Sequence, residues 1–256
     1  MRRTLHCLLS AAVVLGFAFA ARAADDDVKA ILAKAIKAHG GEEALTKHQA
    51  GQTKSKGKLV IPGLGETDFT SESAFMLPDK FKEAIDFEVM GKKINVVTIA
   101  NGDKVSIDTT VDGNNVPVKI TDEIKDAMKE QQYMMKAARL VALTKDKSFQ
   151  LEPLGEVKVE GKPAVGIRVS SKGHKDLSLY FNKDTGLLAK SERRSVDPMS
   201  GKEFTEERII LDYEKTKEGI PLPKKVLVKH DGEKHVEAEI VEAKWLEKLD
   251  DSEFKK

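Results

Sequence analysis

Hydrophobic and polar residues alternate with a period of two over most of this chain, most regularly between Asp176 and Trp245. The segments LSLYF, EERIILDYEK, KKVLVKH and HVEAEIVEAKW are each long enough to cross a sheet. The connections NKDTG and DGEK are too short to hold a helix. Strands joined by such turns must be antiparallel neighbours. This stretch therefore predicts a wide antiparallel meander.

The same period appears in the first half of the chain, where five strand candidates follow Lys54. In the third candidate, Phe81, Ile85 and Phe87 fall on one face and Lys82 falls on the other. This alternation predicts a strand with one buried and one wet side, and ordinary core packing explains it without any function.

Near the end of the meander the apolar set changes phase. It moves from Val236, Ala238 and Ile240 to Val241, Ala243 and Trp245. Such a slip predicts a β-bulge or a strong bend, by which a wide sheet curves. We expect the charged tail that follows, LEKLDDSEFKK, to fray.

Two segments have helical periodicity instead. VKAILAKAIKAHGG has apolar residues on one face and ends at Gly40-Gly41, and a short helix follows it. Thr121 to Lys145 predicts the longest helix, with Thr121 or Asp122 as its N-cap. Three methionines lie in this helix, and such a face adapts to irregular apolar surfaces or simply packs in a core.

These elements predict an α+β fold with one sheet interrupted by the long helix. A sheet of about 10 to 11 antiparallel strands cannot stay flat and must curl. We expect a strongly curved, unclosed antiparallel β-barrel. The N-terminal helix and the long central helix would cover its concave apolar face.

The N-terminus has the features of a secretory signal peptide, namely two arginines, an apolar stretch of 13 residues and Ala21-Arg22-Ala23. We expect residues 1–23 to be removed and residues 24–256 to form a single domain. No later stretch has the ~20 apolar residues of a membrane helix, so a soluble, periplasmic or otherwise exported protein without a transmembrane anchor is expected. Cys7, the only cysteine, precedes the apolar stretch, which argues against lipid anchoring.

Charge excludes one class of partner. Without the three arginines of residues 1–23, 40 basic residues face 42 acidic ones, and the two signs are interspersed. This balance argues against nucleic acid as a partner. We expect a monomer.

Catalytic and metal-binding motifs are missing from the sequence. It contains no G-x-S-x-G, H-E-x-x-H, P-loop or C-x-x-C. Ser55 to Lys58 matches S-x-x-K but lies in a predicted strand. The pair His230 and His235 has no fixed third ligand, and Asn182 to Gly186 is explained by a hairpin turn. We therefore predict no catalytic residue, no metal site and no cofactor.

Several turns resemble those of the LolA/LolB-like periplasmic lipoprotein-carrier superfamily, in particular its outer-membrane lipoprotein-sorting-like exported proteins. The matching segments are a turn that ends in T-G-L, N-K-D-T-G-L within Tyr180 to Leu188, a G-I-x-L-P step within Tyr213 to Pro223, G-G-x-x-A-L at Gly40 to Leu45, and N-G-D-K at Asn101 to Lys104. The resemblance implies an unclosed barrel with helices over its mouth and a hydrophobic cavity that accepts acyl chains. Many relatives have a tryptophan where Ser106 to Asp108 stands here, which implies a smaller or differently lined cavity.

The resulting hypothesis is a non-enzymatic envelope carrier for a hydrophobic or amphipathic ligand, such as lipid or lipoprotein acyl chains. The alternative is an envelope protein–protein interaction module with a filled core and no ligand. A hydrolase ranks third, since no motif supports one. The residues predicted to line the pocket are Met128, Met134, Met135 and Leu140 on the helical side, and Phe81, Ile85, Phe87, Leu179 and Phe181 on the sheet side.

Overall fold

A single antiparallel sheet of thirteen strands dominates the computed structural model, which describes residues 27–197 and 201–256. The predicted signal peptide, residues 1–23, lies outside the described residues. The strands are β1 (Ala50–Ile61), β2 (Gly65–Met76), β3 (Lys80–Val89), β4 (Lys92–Asn101), β5 (Lys104–Val111), β6 (Asn114–Val116), β7 (Phe149–Val159), β8 (Lys162–Ser171), β9 (Leu177–Asn182), β10 (Leu188–Val196), β11 (Glu203–Glu214), β12 (Leu222–His230) and β13 (Glu233–Leu246). The helices are α1 (27–38), α2 (Gly41–Lys47), α3 (Asp122–Ala138) and α4 (Val141–Lys145), and a 3-10 turn follows at Asp251–Phe254.

The sheet consists of two meanders joined at its centre. Strands β1 to β6 follow one another to one edge, and β13 back to β7 follow one another to the other. Within the described residues, the two meanders pair with each other only through β1 and β13. Because β6 and β7 are edges that do not pair, the barrel is unclosed. This confirms the predicted α+β architecture and its curved antiparallel sheet.

The strand number exceeds the prediction by two. The three-residue strand β6 extends the first meander by one, and the second meander contains seven strands. Among the described residues, no helix has the length and apolar character needed to cross a bilayer.

The pairing registers divide the sheet into two faces, since directly paired residues of antiparallel strands lie on the same side. We call the face that carries Ile167, Leu179 and Trp245 the inner face, because α1, α3 and the residues after α3 pack against it. The opposite side is the outer face. There the 3-10 turn buries Phe254 against Ala50, so the tail does not fray as expected.

The predicted bulge lies where the two meanders meet. Lys54 of β1 pairs with Glu242, but the next residue, Ser55, pairs with Ile240. The extra residue, Val241, is exposed. The bulge keeps Val236, Ala238 and Ile240 on the same inner face as Ala243 and Trp245, which explains the phase slip. Just beyond the bulge the backbones of β1 and β13 approach each other closely, since a Cβ on Gly57 would lie 2.0 Å from the Glu237 carbonyl oxygen.

The main core lies between α1, α3 and strands β8 and β9. Val28, Leu32 and Ala35 of α1 are buried in it, as the helical periodicity predicted. Opposite them, alternate residues of β8 and β9 are buried, with Leu179 fully so. Helical spacing on one side and period two on the other thus produce one apolar layer.

The predicted helix from Thr121 to Lys145 is interrupted. Thr121 caps α3 by accepting a hydrogen bond from the Ile124 amide, but the helix ends at Ala138. Leu140 has a φ of 65° and is buried in the core, and α4 starts only after it. The break has no glycine or proline to announce it, and burial of Leu140 compensates for a backbone conformation that costs a non-glycine residue of order 1–3 kcal/mol.

Three of the turn motifs meet at the C-terminal end of α1. Gly40 lies so close to Gly219 that a Cβ there would be 2.8 Å from its carbonyl oxygen, and Gly186 packs on Ala38. His39 connects them, since its Nδ1 donates to the Ala35 carbonyl at 2.8 Å and its Nε2 accepts from the Leu188 amide at 3.4 Å. These bonds require a neutral imidazole.

Burial of His39 lowers its pKa below the ordinary 6.5, although its bond to Ala35 opposes the shift. The unfolded chain therefore binds a proton at a higher pH than the folded chain does. Stability is present above the unfolded pKa of His39 and declines as the pH falls through it.

We predict that His39→Gln lowers stability by about 1 kcal/mol at neutral pH, because two hydrogen bonds are weakened. It also reduces the loss of stability between about pH 7 and pH 5. Urea unfolding at several pH values measures both effects. If the free energies of unfolding of wild type and variant change equally with pH over this range, His39 is not a source of the pH dependence. The pH dependence of stability that remains in the variant would come from His230 and His235, because burial also lowers their pKa values.

Candidate functional site

The inner face has two environments. One is a solid core, and the other is a half-buried apolar surface over the first meander, which we call the trough. In the core, four residues predicted to line a pocket, Met134, Leu140, Leu179 and Phe181, are buried in one cluster. Each is at most 7% exposed, and they contact α1 and the helical segment rather than open space. The structure thus brings these four together as packed side chains.

The trough lies over the first meander. Phe81, Ile85 and Phe87 occupy its floor on β3, on the inner face as predicted, and all three remain half-buried. From Phe81 to Phe87 the strand runs about 20 Å. Side chains from the neighbouring strands continue the apolar surface and are also half-buried. They are Phe75, Val96 and Ile107.

The helix α3 presents different faces to these two environments. Met134 points into the core, whereas Gln131 accepts a hydrogen bond at 3.3 Å from Arg193, on the inner face of β10. Met128 and Met135 lie one turn before and after Gln131 and are half-buried. They therefore share the side of α3 on which Gln131 lies, toward the sheet beyond the core.

Polar contacts hold α3 above the sheet. The Gln132 side-chain amide donates to the carbonyls of Asp79 and Gly102, at 2.7 and 3.1 Å, in the turns that end β2 and β4. Glu130 accepts from the His174 ring at 3.0 Å on the other side. Because these turns belong to opposite meanders, α3 spans the opening of the curved sheet.

Arg139 anchors the junction between α3 and α4. Its guanidinium donates to the carbonyls of Leu45 and His48 and lies 4.6 Å from the centre of the Trp245 ring. Burial lowers its pKa to about 10. The sequence analysis assigned no role to Arg139 or Trp245, although Trp245 belongs to the apolar set that predicted the bulge.

A row of polar residues crosses the trough. Glu83 pairs with Ser73 on one side and with Thr98 on the other, and Ser73 pairs with Thr53. We call these four residues the polar band. Thr53 and Ser73 share a hydrogen bond at 2.6 Å between their hydroxyls. The trough is therefore amphipathic rather than uniformly apolar.

Glu83 is the chemically unusual member of the polar band. Burial raises the pKa of its carboxyl, and the charge of Arg208 on β11 partly counteracts the increase. The side chain nevertheless keeps accessible surface, so it lines open space while protein surrounds it. Sequence reasoning missed Glu83, although period two placed it between Phe81 and Ile85 on the same face.

Three buried donor atoms have no hydrogen-bond partner within residues 27–197 and 201–256. They are Nε of Arg139, Nη1 of Arg193 and Nε1 of Trp245. All three belong to residues that are on the inner face or pack against it. A buried donor without a partner costs free energy, so this side of the sheet has capacity for an acceptor.

The outer face also has depressions, and two of them contain an ion pair. One of about 290 Å³ is lined by Lys54 and Glu72, which form an ion pair at 3.0 Å. Another of about 510 Å³ is lined by Lys58 and Asp68, which pair at 2.9 Å.

No metal centre emerges from the described part of the chain, where no three His, Cys, Asp or Glu side chains cluster suitably. His230 and His235 do approach each other, with ring centres 3.9 Å apart, and Phe204 stacks on His230. Burial lowers the pKa of both histidines, with the neighbouring imidazole adding to the effect on His230. The pair is a neutral aromatic stack.

No protein-family model and no curated protein matches the chain. Among solved structures it is similar to a DUF1329 family protein from Desulfovibrio piger, at 15% identity and a TM-score of 0.49, over 89% of this chain and 97% of that one. It is also similar to a LolA superfamily protein from Nitrosomonas europaea, at 11% identity and a TM-score of 0.47, over 84% and 95%. An outer membrane lipoprotein-sorting protein domain from Vibrio parahaemolyticus has 10% identity and a TM-score of 0.45, over 83% and 93%.

We predict that Glu83→Gln stabilises the ligand-free protein. An acid whose folded pKa is raised loses stability as the pH rises through that pKa, so the ionised carboxyl disfavours the fold at neutral pH. The neutral amide removes this penalty, and we expect Tm to rise by about 2–4 °C.

Thermal unfolding followed by circular dichroism measures the effect. The gain should disappear below about pH 4, where the unfolded chain also holds the proton. Glu88→Gln is the matched control, since Glu88 lies exposed on the outer face of the same strand. An equal gain from both substitutions would contradict the prediction.

Proposed function

We propose that the protein is an exported, non-enzymatic carrier that binds the hydrophobic tail of a lipid or lipoprotein in the trough. The observation that carries this proposal is the half-buried state of Phe81, Ile85 and Phe87 beneath the span of α3. Apolar side chains on the concave face of a folded sheet are normally covered by other side chains. Here Phe81, Ile85 and Phe87 keep part of their surface accessible, which leaves room for the cover that a ligand tail would supply.

Burial of a tail supplies enough affinity for a carrier. Each methylene removed from water contributes about 0.8 kcal/mol, so about ten methylenes contribute ~8 kcal/mol, which corresponds to micromolar binding. Met128 and Met135, on the side of α3 that faces the sheet, can adapt to tails of different shape. The remaining predicted residues, Met134, Leu140, Leu179 and Phe181, would act as the rigid wall behind the trough.

The location of the carrier belongs to the same proposal. Residues 1–23 have the features of a signal peptide, and cleavage after Ala23 would leave one domain of residues 24–256 in the periplasm or a comparable exported compartment. Intact mass measurement on protein from the native envelope tests this. A mature chain that begins at Ala24 is the expected result.

The alternative is a protein–protein interaction module, for which a filled core is expected. The open trough favours the carrier over this alternative, because an interaction module needs no apolar surface on its concave side. Mass spectrometry of lipids copurified from the native compartment distinguishes the two. Acyl-chain ligands at near one-to-one ratio support the carrier, and protein free of any extractable lipid contradicts it.

We predict that Ile85→Trp weakens binding of a fluorescent fatty acid by about 50-fold. The larger ring fills part of the trough, and exclusion of about three methylenes at ~0.8 kcal/mol each accounts for this loss. Fluorescence titration measures the affinity.

Ala84→Trp is the matched control, because Ala84 is the preceding residue on β3 and opens onto the outer depression of about 290 Å³. Its affinity should remain within about twofold of wild type, and circular dichroism should show both variants folded. Equal affinities for the two variants would place the ligand outside the trough.

A further inference from the structure

We propose that the trough binds a fatty acid, and that the guanidinium of Arg139 and the indole N–H of Trp245 hold its carboxylate. This inference rests on the proposed function, because it names the ligand of the same trough. It goes further in giving that ligand an anionic end and a place for this end on the inner face.

Arg139 carries a largely buried charge that no acidic group balances. Within residues 27–197 and 201–256, its guanidinium forms hydrogen bonds only with the carbonyls of Leu45 and His48, which are neutral. Burial lowers its pKa to about 10, and no carboxylate opposes the shift. By contrast, the guanidinium of Arg193 lies 3.1 Å from the carboxylate of Glu206. A buried charge without a counter-charge costs free energy, which an anionic ligand would offset.

The guanidinium of Arg139 also has free donors. Both bonds to the carbonyls come from Nη2, whereas Nε and Nη1 have no hydrogen-bond partner in the part of the chain that the structure describes. Nε is shielded from solvent but Nη1 is not, so an acceptor can approach the guanidinium from the side of Nη1. A carboxylate fits such a group, because its two oxygens accept hydrogen bonds from a guanidinium in matching geometry.

Trp245 supplies a further donor at the same place. Cζ of Arg139 lies 4.6 Å from the centre of the Trp245 ring, and Nε1 of this ring has no partner among the described residues. Both side chains keep part of their surface accessible, so a change of rotamer is enough to turn the indole N–H toward an oxygen bound at the guanidinium. The shielding of Nε and Nε1 favours a carboxylate, which is small, over a phosphodiester that continues into a headgroup.

An aromatic row leads from this site to the floor of the trough. The residues in register along the row are Trp245 on β13, Gly51 on β1, Phe75 on β2 and Phe81 on β3. The Phe75 ring lies over Gly51, where a Cβ would be 2.7 Å from it, and its centre is 5.9 Å from that of Trp245. The row crosses three strand spacings, about 14 Å. A tail whose carboxylate is held at Arg139 can therefore continue over Phe75 and Phe81 and then along β3.

The polar band lies directly beside the aromatic row. Its members on β1, β2 and β3 are each two residues from the member of the row on the same strand. The polar band and the proposed carboxylate site are thus at the same end of the trough. Ile85 and Phe87 lie beyond the polar band on β3, where they would contact the tail.

A fluorescent fatty acid and its methyl ester test the charge, because they share one tail and only the acid is an anion at neutral pH. We expect wild type to bind the acid about tenfold more tightly, as one hydrogen bond between charged groups predicts. Arg139→Gln should remove this preference by weakening only the acid, and Trp245→Phe should weaken the acid about fivefold. The matched controls are Arg194→Gln, at an exposed position on the outer face, and Tyr180→Phe, in a ring on the outer face. Both controls should leave the two affinities within about twofold of wild type.

A second measurement locates the carboxylate without any variant. Trp245 is the only tryptophan of the chain, so its emission reports on ligand atoms near it. Bromine quenches indole fluorescence only at short range. We expect a fatty acid brominated beside the carboxylate to quench Trp245 strongly, and one brominated at the far end of the tail to quench it weakly.

Equal affinity of wild type for acid and ester overturns the proposal. Equal quenching by the two brominated acids, or an equal effect of Arg139→Gln and Arg194→Gln, also overturns it. In these cases Ile85→Trp would still weaken binding, and the carrier function would stand. Failure of wild type to bind any of these ligands, or binding that Ile85→Trp does not change, contradicts the carrier function itself.

Discussion

The pairing of β1 with β13 is the contact on which the rest of the structure depends. It joins the first strand of the described chain to the last, and no other strand pair connects the two meanders. Without it, the first meander would be a six-stranded sheet with one apolar face uncovered. The bulge at Val241 and the close approach at Gly57 both lie in this pair, so the seam that joins the meanders also bends them.

Bending at the seam explains why the inner face is not uniform. The helices α1 and α3 pack over β8 and β9, where Leu179 and its neighbours are excluded from water. The first meander curves away from this core, and Gln132 of α3 contacts the turns at its end. The helices are too few to cover the whole inner face of the curved sheet. A packed core therefore forms over β8 and β9, whereas α3 only spans the first meander.

Local patterns predicted most of this architecture, and the failures have physical causes. The alternation of apolar and polar residues predicted the strands and the change of phase before Trp245, because both features depend only on neighbouring residues in the sequence. The pairing of β1 with β13 joins residues nearly two hundred positions apart, and no local pattern contains it. The interruption at Leu140 was missed because tertiary burial stabilises its backbone there. The predicted pocket residues of β3 share one face of the strand with Glu83, which was missed because a polar residue on an otherwise apolar face does not belong to the hydrophobic pattern.

Glu83 matters because its position fixes how an amphiphile could lie in the trough. An apolar trough alone would accept a tail in either direction, with little free-energy difference between the two. A carboxyl between Phe81 and Ile85 makes the two directions unequal, since only one places a polar headgroup beside it. The polar band thus turns a nonspecific apolar surface into one with a defined orientation.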